Sequence, residues 1–177
     1  LMDFLNSIIL LTNFIIVPGI TYGSQLALGA IGVTLIYGIL RFANFAYGDL
    51  MAFGTMIVIL VTWFLQSKGI TFGLLPTALL ALPVGILLTI AVSLFFDKTV
   101  FEYYRNKKSD PVTFIVVSLG IMFVLNAVVR IIIGPNDINF MDGHKFIMKA
   151  REFKQMTGLN EGLALKSTQV ILSLIHI

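Results

Sequence analysis

The 177-residue chain is 58% hydrophobic and 12% charged, with a formal charge of +3, no cysteine and a mean hydropathy of +0.97. Soluble domains carry roughly 45–50% apolar and about 25% charged residues, so too little polar surface is left here to cover a water-soluble globule. The missing cysteines exclude disulfides, thiolate chemistry and cysteine metal sites, and basic residues scattered away from any aromatic stripe argue against nucleic acid.

The charges are segregated. None lies between Asp3 and Arg41, and none between Lys68 and Asp97. One bilayer crossing needs about 20 mostly apolar residues, so these runs are long enough to span. The stretch Phe4–Leu40 is too long for one upright crossing at about 1.5 Å per residue. Proline inside a helix removes a bond and kinks it, so a break is expected at Pro18-Gly19. Phe4–Val17 then reads as an interfacial or half-inserted helix and Gly19–Leu40 as the first full span.

A polar-aromatic interruption, RFANFAYG, follows at Arg41–Gly48. The second span runs from about Leu50 to Gln66, with Trp63 suited to an interface. The third lies within Phe72–Phe96, where Pro76 and Pro83 predict a kink or a late start. Ser109, Asp110 and Pro111 read as a cap followed by a proline in the first helical position. They open a fourth span that ends near Ile133, before Gly134-Pro135. After Thr168 an apolar run begins and stops within eight residues, as the start of a fifth span cut short would. The expected fold class is therefore an all-α, polytopic transmembrane helix bundle. It has about four spans (near 19–40, 50–66, 72–96 and 111–133), an N-terminal interfacial helix, an external loop over 134–167 and a truncated fifth span over 168–177. Leu1, standing where an initiator methionine would, suggests a ragged start as well.

Orientation follows from Lys and Arg density in short loops. Asp97–Asp110 carries Lys98, Arg105, Lys107 and Lys108 and is assigned to the cytoplasm. Alternation then puts the turn at Lys68 outside, Arg41–Asp49 towards the inside and Gly134–Ser167 outside.

Gly19 and Gly23 stand four apart with Ala27 continuing the row. Small residues on one helix face let helices meet backbone to backbone in lipid. Packing inside the chain is the plain reading, a pore-lining or subunit-interface role the alternative. Asn44 and Asp49 are polar groups near membrane depth, costly unless they face protein or water. Asp49 either caps the second helix at headgroup level or belongs to a translocation path. Arg41 reads as an inside-facing anchor. Arg130, close to Gly134, either snorkels to the outer interface along its methylene stem or contacts a solute-binding partner. His144 and His176 are far apart, so neither a metal site nor a cofactor is expected. The chain has no G-x-x-x-x-G-K-[ST] loop for ATP and no grouping of nucleophile with base, so it does not read as an enzyme.

Two blocks carry a resemblance: Gly32-Val33-Thr34-Leu35-Ile36-Tyr37-Gly38, then Asn44-Phe45-Ala46-Tyr47-Gly48-Asp49. In order and spacing they resemble the membrane permeases of ATP-driven branched-chain amino-acid importers, over roughly the first half of such a permease. Weaker similarity extends to Ser118-Leu119-Gly120 and Gly134-Pro135. Tyr47 stands where the family usually has histidine, so no proton or metal role carries over to that position. The family's cytoplasmic coupling segment would lie beyond Ile177. The resemblance implies a multi-pass permease of the bacterial inner membrane that translocates branched-chain or related amino acids. It also implies a second permease subunit, cytoplasmic ATPase subunits that hydrolyse the ATP, and an external solute-binding protein. Candidate translocation-path or helix-packing residues are Gly19, Gly23, Tyr37, Gly38, Asn44, Phe45, Gly48 and Asp49. The competing expectations are a sister permease for urea, short amides or other small polar solutes, and a self-sufficient channel or secondary transporter. The latter often shows inverted repeats and several buried ionisable groups, and no convincing internal repeat is present here.

Overall fold

A computed structural model describes residues 2–71, 73, 75–136 and 146–176. His144 and the rest of residues 137–145 of the expected external loop lie outside them. Helices dominate: α1 (Met2–Leu11), α2 (Val17–Leu40), α3 (Ala46–Ser67), α4 (Ala78–Phe96), α5 (Glu102–Asn106), α6 (Pro111–Ile133), α7 (Ala150–Thr157) and α8 (Ser167–His176). Two short strands, β1 (Phe146–Met148) and β2 (Leu165–Lys166), pair antiparallel. Four helical runs are long and apolar enough to cross a bilayer: Met2–Leu40, Ala46–Ser67, Ala78–Asn106 and Pro111–Ile133. The chain is an all-α, multi-pass membrane protein.

The structure divides into two compact units. The first comprises Leu1–Gly32, Phe72–Pro76 and Met141–Ile177, the second Val33–Thr71 and Thr77–Phe140.

In the first unit the expected break at Pro18-Gly19 is absent, and Met2–Leu40 is one helical run. Thr12–Ile16 winds more widely, as a π turn, and the Val17 N–H reaches back five residues to the Thr12 carbonyl. Pro18 has no N–H for the ordinary bond, and its ring would press on the carbonyl four residues back. A wider turn just ahead of it relieves that clash without ending the helix. Part of the segment expected to form the external loop bonds to this helix. Asn13 Nδ2 donates to the Gly162 carbonyl at 2.6 Å, and Asn13 Oδ1 accepts from the Ala164 N–H at 3.1 Å. Asn6 Oδ1 accepts from the Glu161 N–H at 3.3 Å. Two asparagines of an apolar helix thus satisfy the backbone of an irregular segment, which lipid cannot do. Gly162 is required there, because an added Cβ would collide with the Ala150 carbonyl.

The second unit is built on α3, which packs against both α4 and α6. Its core is Phe42, Ala46, Phe101, Ile121 and Leu125, with Leu50, Phe53 and Phe96 packed around them. Helices α3 and α4 approach most closely at two glycines. A Cβ on Gly54 would meet Thr89 Oγ1 at 2.6 Å, and one on Gly85 would overlap Val58 Cγ2 and sit 3.3 Å from the Gly54 carbonyl oxygen. Gly19 and Gly23 have no atom within 4 Å of an added Cβ. In the second unit the close small-residue contact between described helices is therefore Gly54 with Gly85. Hydroxyls of buried Thr62 and half-buried Thr89 fold back on their own helices: Thr62 donates to the Val58 carbonyl at 2.7 Å and Thr89 to that of Gly85 at 2.7 Å, which leaves neither donor bare in apolar surroundings.

Past Phe96 the helix continues through a second π turn, Asp97–Phe101, into α5. Arg105 grips Asp97 there through two nitrogens, at 2.7 and 2.9 Å. Both side chains are over two-fifths exposed, so screening leaves the pair worth at most about 1 kcal/mol. Lys107 lies 4.4 Å from the Tyr103 ring centroid, and hydrogen bonding to Tyr103 holds its pKa above the ordinary lysine value. Asp110 takes the N-cap backbone position ahead of Pro111, without a capping bond from its side chain.

A polar break and a polar chain in the second unit

The interruption after α2 is shorter than its composition suggests, since α3 already begins at Ala46. Arg41 ends α2 with φ 57°, a left-handed conformation that glycine usually supplies. Phe42 then turns inward and is buried. Its ring lies 5.7 Å from that of Phe101 and 5.2 Å from that of Phe114. This aromatic trio ties the break to the second π turn and to the first turn of α6. Nothing in the local pattern distinguished Phe42 from Phe45, whose side chain is half exposed.

Asn44 Oδ1 accepts from the Ala46 N–H at 3.1 Å, and one of the orphan donors at a helix start is thereby satisfied. Phe45 holds the N-cap position without a side-chain bond, so the side-chain acceptor at this helix start is Asn44, just ahead of it, and not Asp49. The Phe45 N–H donates to Ser118 Oγ at 3.1 Å, while Ser118, fully buried, donates to the Ile115 carbonyl at 2.8 Å. One serine of α6 thus takes up a backbone donor that the break would otherwise strand. Around the break a cleft of about 390 Å³ is lined by Val33, Ile36, Tyr37, Asn44, Phe45 and Gly48, among others. Four of the candidate residues, Tyr37, Asn44, Phe45 and Gly48, meet at this cleft. Gly38 and Asp49 belong to the same unit without lining it. Gly19 and Gly23 lie in the first unit.

Asp49 is engaged elsewhere. In the first turn of α3 it sits where a helix favours negative charge, and its Oδ1 accepts from Asn126 Nδ2 of α6 at 3.0 Å. Asn126 Oδ1 in turn accepts from Arg130 Nε at 2.8 Å. A guanidinium, an amide and a carboxylate therefore form one chain across two apolar helices. Arg130 bends back along α6 towards Asn126, four residues earlier, and so points away from the helix end to which it was expected to snorkel. Asn126 and Arg130 are exposed on this unit and Asp49 is partly so. Neither charged group has an ion pair among the described residues. Asn126 and Arg130 drew no attention as partners of Asp49, because their pairing depends on the register of helices 77 residues apart.

Comparison with known proteins bears on what this unit serves. Residues 15–160 match the family model described as the permease component of branched-chain amino acid transport systems. The high-affinity branched-chain amino acid transport system permease protein LivH of Escherichia coli (strain K12) is 31% identical over 121 residues, covering 68% of this chain and 38% of the relative. The protein of that name from Salmonella typhimurium is 29% identical over 121 residues, with the same coverage. The permease protein BraD of Pseudomonas aeruginosa is 40% identical over 55 residues, 31% of this chain and 18% of the relative. The chain thus spans under two-fifths of the length of the curated relatives it matches. No solved structure matches. Together with the four spanning helices, the family match makes this a multi-pass protein of the plasma membrane. The chain belongs to the family of permease components of branched-chain amino acid transport systems.

Proposed function

We propose that this chain is part of the membrane permease subunit of an ATP-driven importer in a bacterial inner membrane. The importer carries branched-chain or related amino acids delivered by an external solute-binding protein. The family match over residues 15–160 carries the reading. The organised break between α2 and α3 supports it, because non-helical backbone near a membrane is tolerated where it lines a cavity or is buried in protein. Here Asn44, Ser118 and Phe42 hold such a break beside a cleft. ATP hydrolysis belongs to separate cytoplasmic subunits in this reading, and a second permease subunit completes the path. Tyr37, Gly38, Asn44, Phe45 and Gly48 are the proposed path residues, and Gly19 and Gly23 the proposed packing row towards the second subunit.

The test is uptake of radiolabelled leucine into vesicles holding the full-length permease with its ATPase and binding-protein partners. ATP-dependent and binding-protein-dependent accumulation is expected. Accumulation of urea or a short amide with none of leucine would move the assignment to the sister permeases. Uptake that proceeds without ATP or partners would move it to a channel or secondary transporter.

A further inference from the structure

We infer that Asp49, Asn126 and Arg130 form a transit site for the charged backbone end of an α-amino acid, with Arg130 meeting the carboxylate and Asp49 the ammonium. The inference rests on the proposed function and adds two residues and a ligand chemistry to it. Three observations carry it. First, the chain joins two span-length helices, and the residues around Asn126 in sequence are apolar: Leu125, Ala127, Val128 and Val129. Ionisable groups within spanning helices face protein or a water-filled cavity, because lipid cannot solvate them. Second, each end of the chain keeps spare capacity. Arg130 spends Nε on Asn126, and a guanidinium carries five N–H donors. Asp49 spends Oδ1, and its second oxygen has no bond within the described residues. Third, the two ends are of opposite sign and are bridged by one side-chain amide with a hydrogen bond at each side, of 3.0 and 2.8 Å. The ammonium and carboxylate of an α-amino acid, one carbon apart and each making one hydrogen bond, can bridge the same two groups. A zwitterion laid beside Asn126 therefore meets both charges at once. The guanidinium fork suits a carboxylate in two-point geometry. The pair is weakly held to itself, through a neutral amide and not as a direct salt bridge, so a passing solute can engage it and leave.

The experiment uses the complete transporter in vesicles, with leucine uptake and pull-down of the assembled complex measured side by side for Asp49→Asn, Arg130→Gln and the double variant. Each single variant should assemble normally and lose about tenfold or more in leucine uptake, the loss expected for one charge-assisted hydrogen bond to the solute. The double variant should be at least as impaired, since it lacks both contacts. A purely structural ion chain behaves oppositely: removing one charge strands the other, and removing both relieves the penalty. Uptake restored in the double variant would thus overturn the inference, as would loss of assembly in the single variants, which would mark a subunit contact. Single variants that transport like the wild type would overturn it while leaving the proposed function intact. Wild-type vesicles that take up no branched-chain amino acid would remove the proposed function and this site with it.

Discussion

At the scale of residues, the organisation of the break turns on a few short-range bonds. Arg41 adopts a left-handed backbone, Phe42 is driven inward, and Asn44 accepts from the Ala46 N–H. Removing a side-chain acceptor from a backbone N–H at a helix start typically costs about 1 kcal/mol. Asn44→Ala should therefore lower the thermal unfolding midpoint of the full-length protein in detergent, while Asn44→Asp should keep most of the stability. Equal midpoints for Asn44→Ala and wild type would show that the side chain does not cap α3. Asn44 and Asp49 were legible in the sequence because polar groups stand out in an apolar chain. Their division of labour was not. Whether Asp49 caps its own helix or bonds across to α6 depends on a neighbour far away in sequence, and no local pattern specifies it. Phe42 was equally silent, since an aromatic residue in a polar interruption is as easily exposed as buried.

Helices as units were easier to read than their contacts. Apolar runs of span length gave the helical, polytopic class directly, and proline marked the places where winding must change. At Pro18 the strain is absorbed by a π turn and the helix continues, an outcome that depends on how the preceding turn can widen. The glycine contacts were harder to read for a related reason. Gly19 and Gly23 make the more regular row, yet the close approach occurs at Gly54 and Gly85, which lie on separate helices and form no such row. Gly85→Ala forces its new methyl into Val58, and overpacking of this kind costs about 1–3 kcal/mol. The variant should unfold at lower temperature than wild type. Val58→Ala in the same chain removes the obstructing methyls, so the double variant should recover part of the loss, a coupling that separate sites would not show. Additive losses would mean that the two helices do not meet at this pair.

At the scale of the molecule, the hydrogen bonds constrain how the second unit threads the membrane. Phe45 pairs with Ser118 and Asp49 with Asn126, so both helices advance in the same direction and α3 runs parallel to α6. The C-terminal ends of α3 and α6 must then face one side of the membrane. Helix α4, which follows α3 in the chain, runs back against it and delivers Lys98, Arg105, Lys107 and Lys108 to the other. This geometry is independent of the charge pattern, yet both lead to one arrangement, because basic residues in short loops favour the cytoplasm. Single cysteines can test it on the full-length protein, whose natural sequence over this region has none. Gly69→Cys beyond α3 and Asn136→Cys beyond α6 should react with a membrane-impermeant maleimide added outside intact cells. Asn106→Cys, at the end of α5, should react only after the cells are opened. Should Gly69 and Asn136 label from opposite sides, the parallel packing of α3 and α6 is wrong, and the Asp49–Asn126–Arg130 chain falls with it. Labelling of all three with sides exchanged leaves the packing intact and reverses only the orientation drawn from the basic residues.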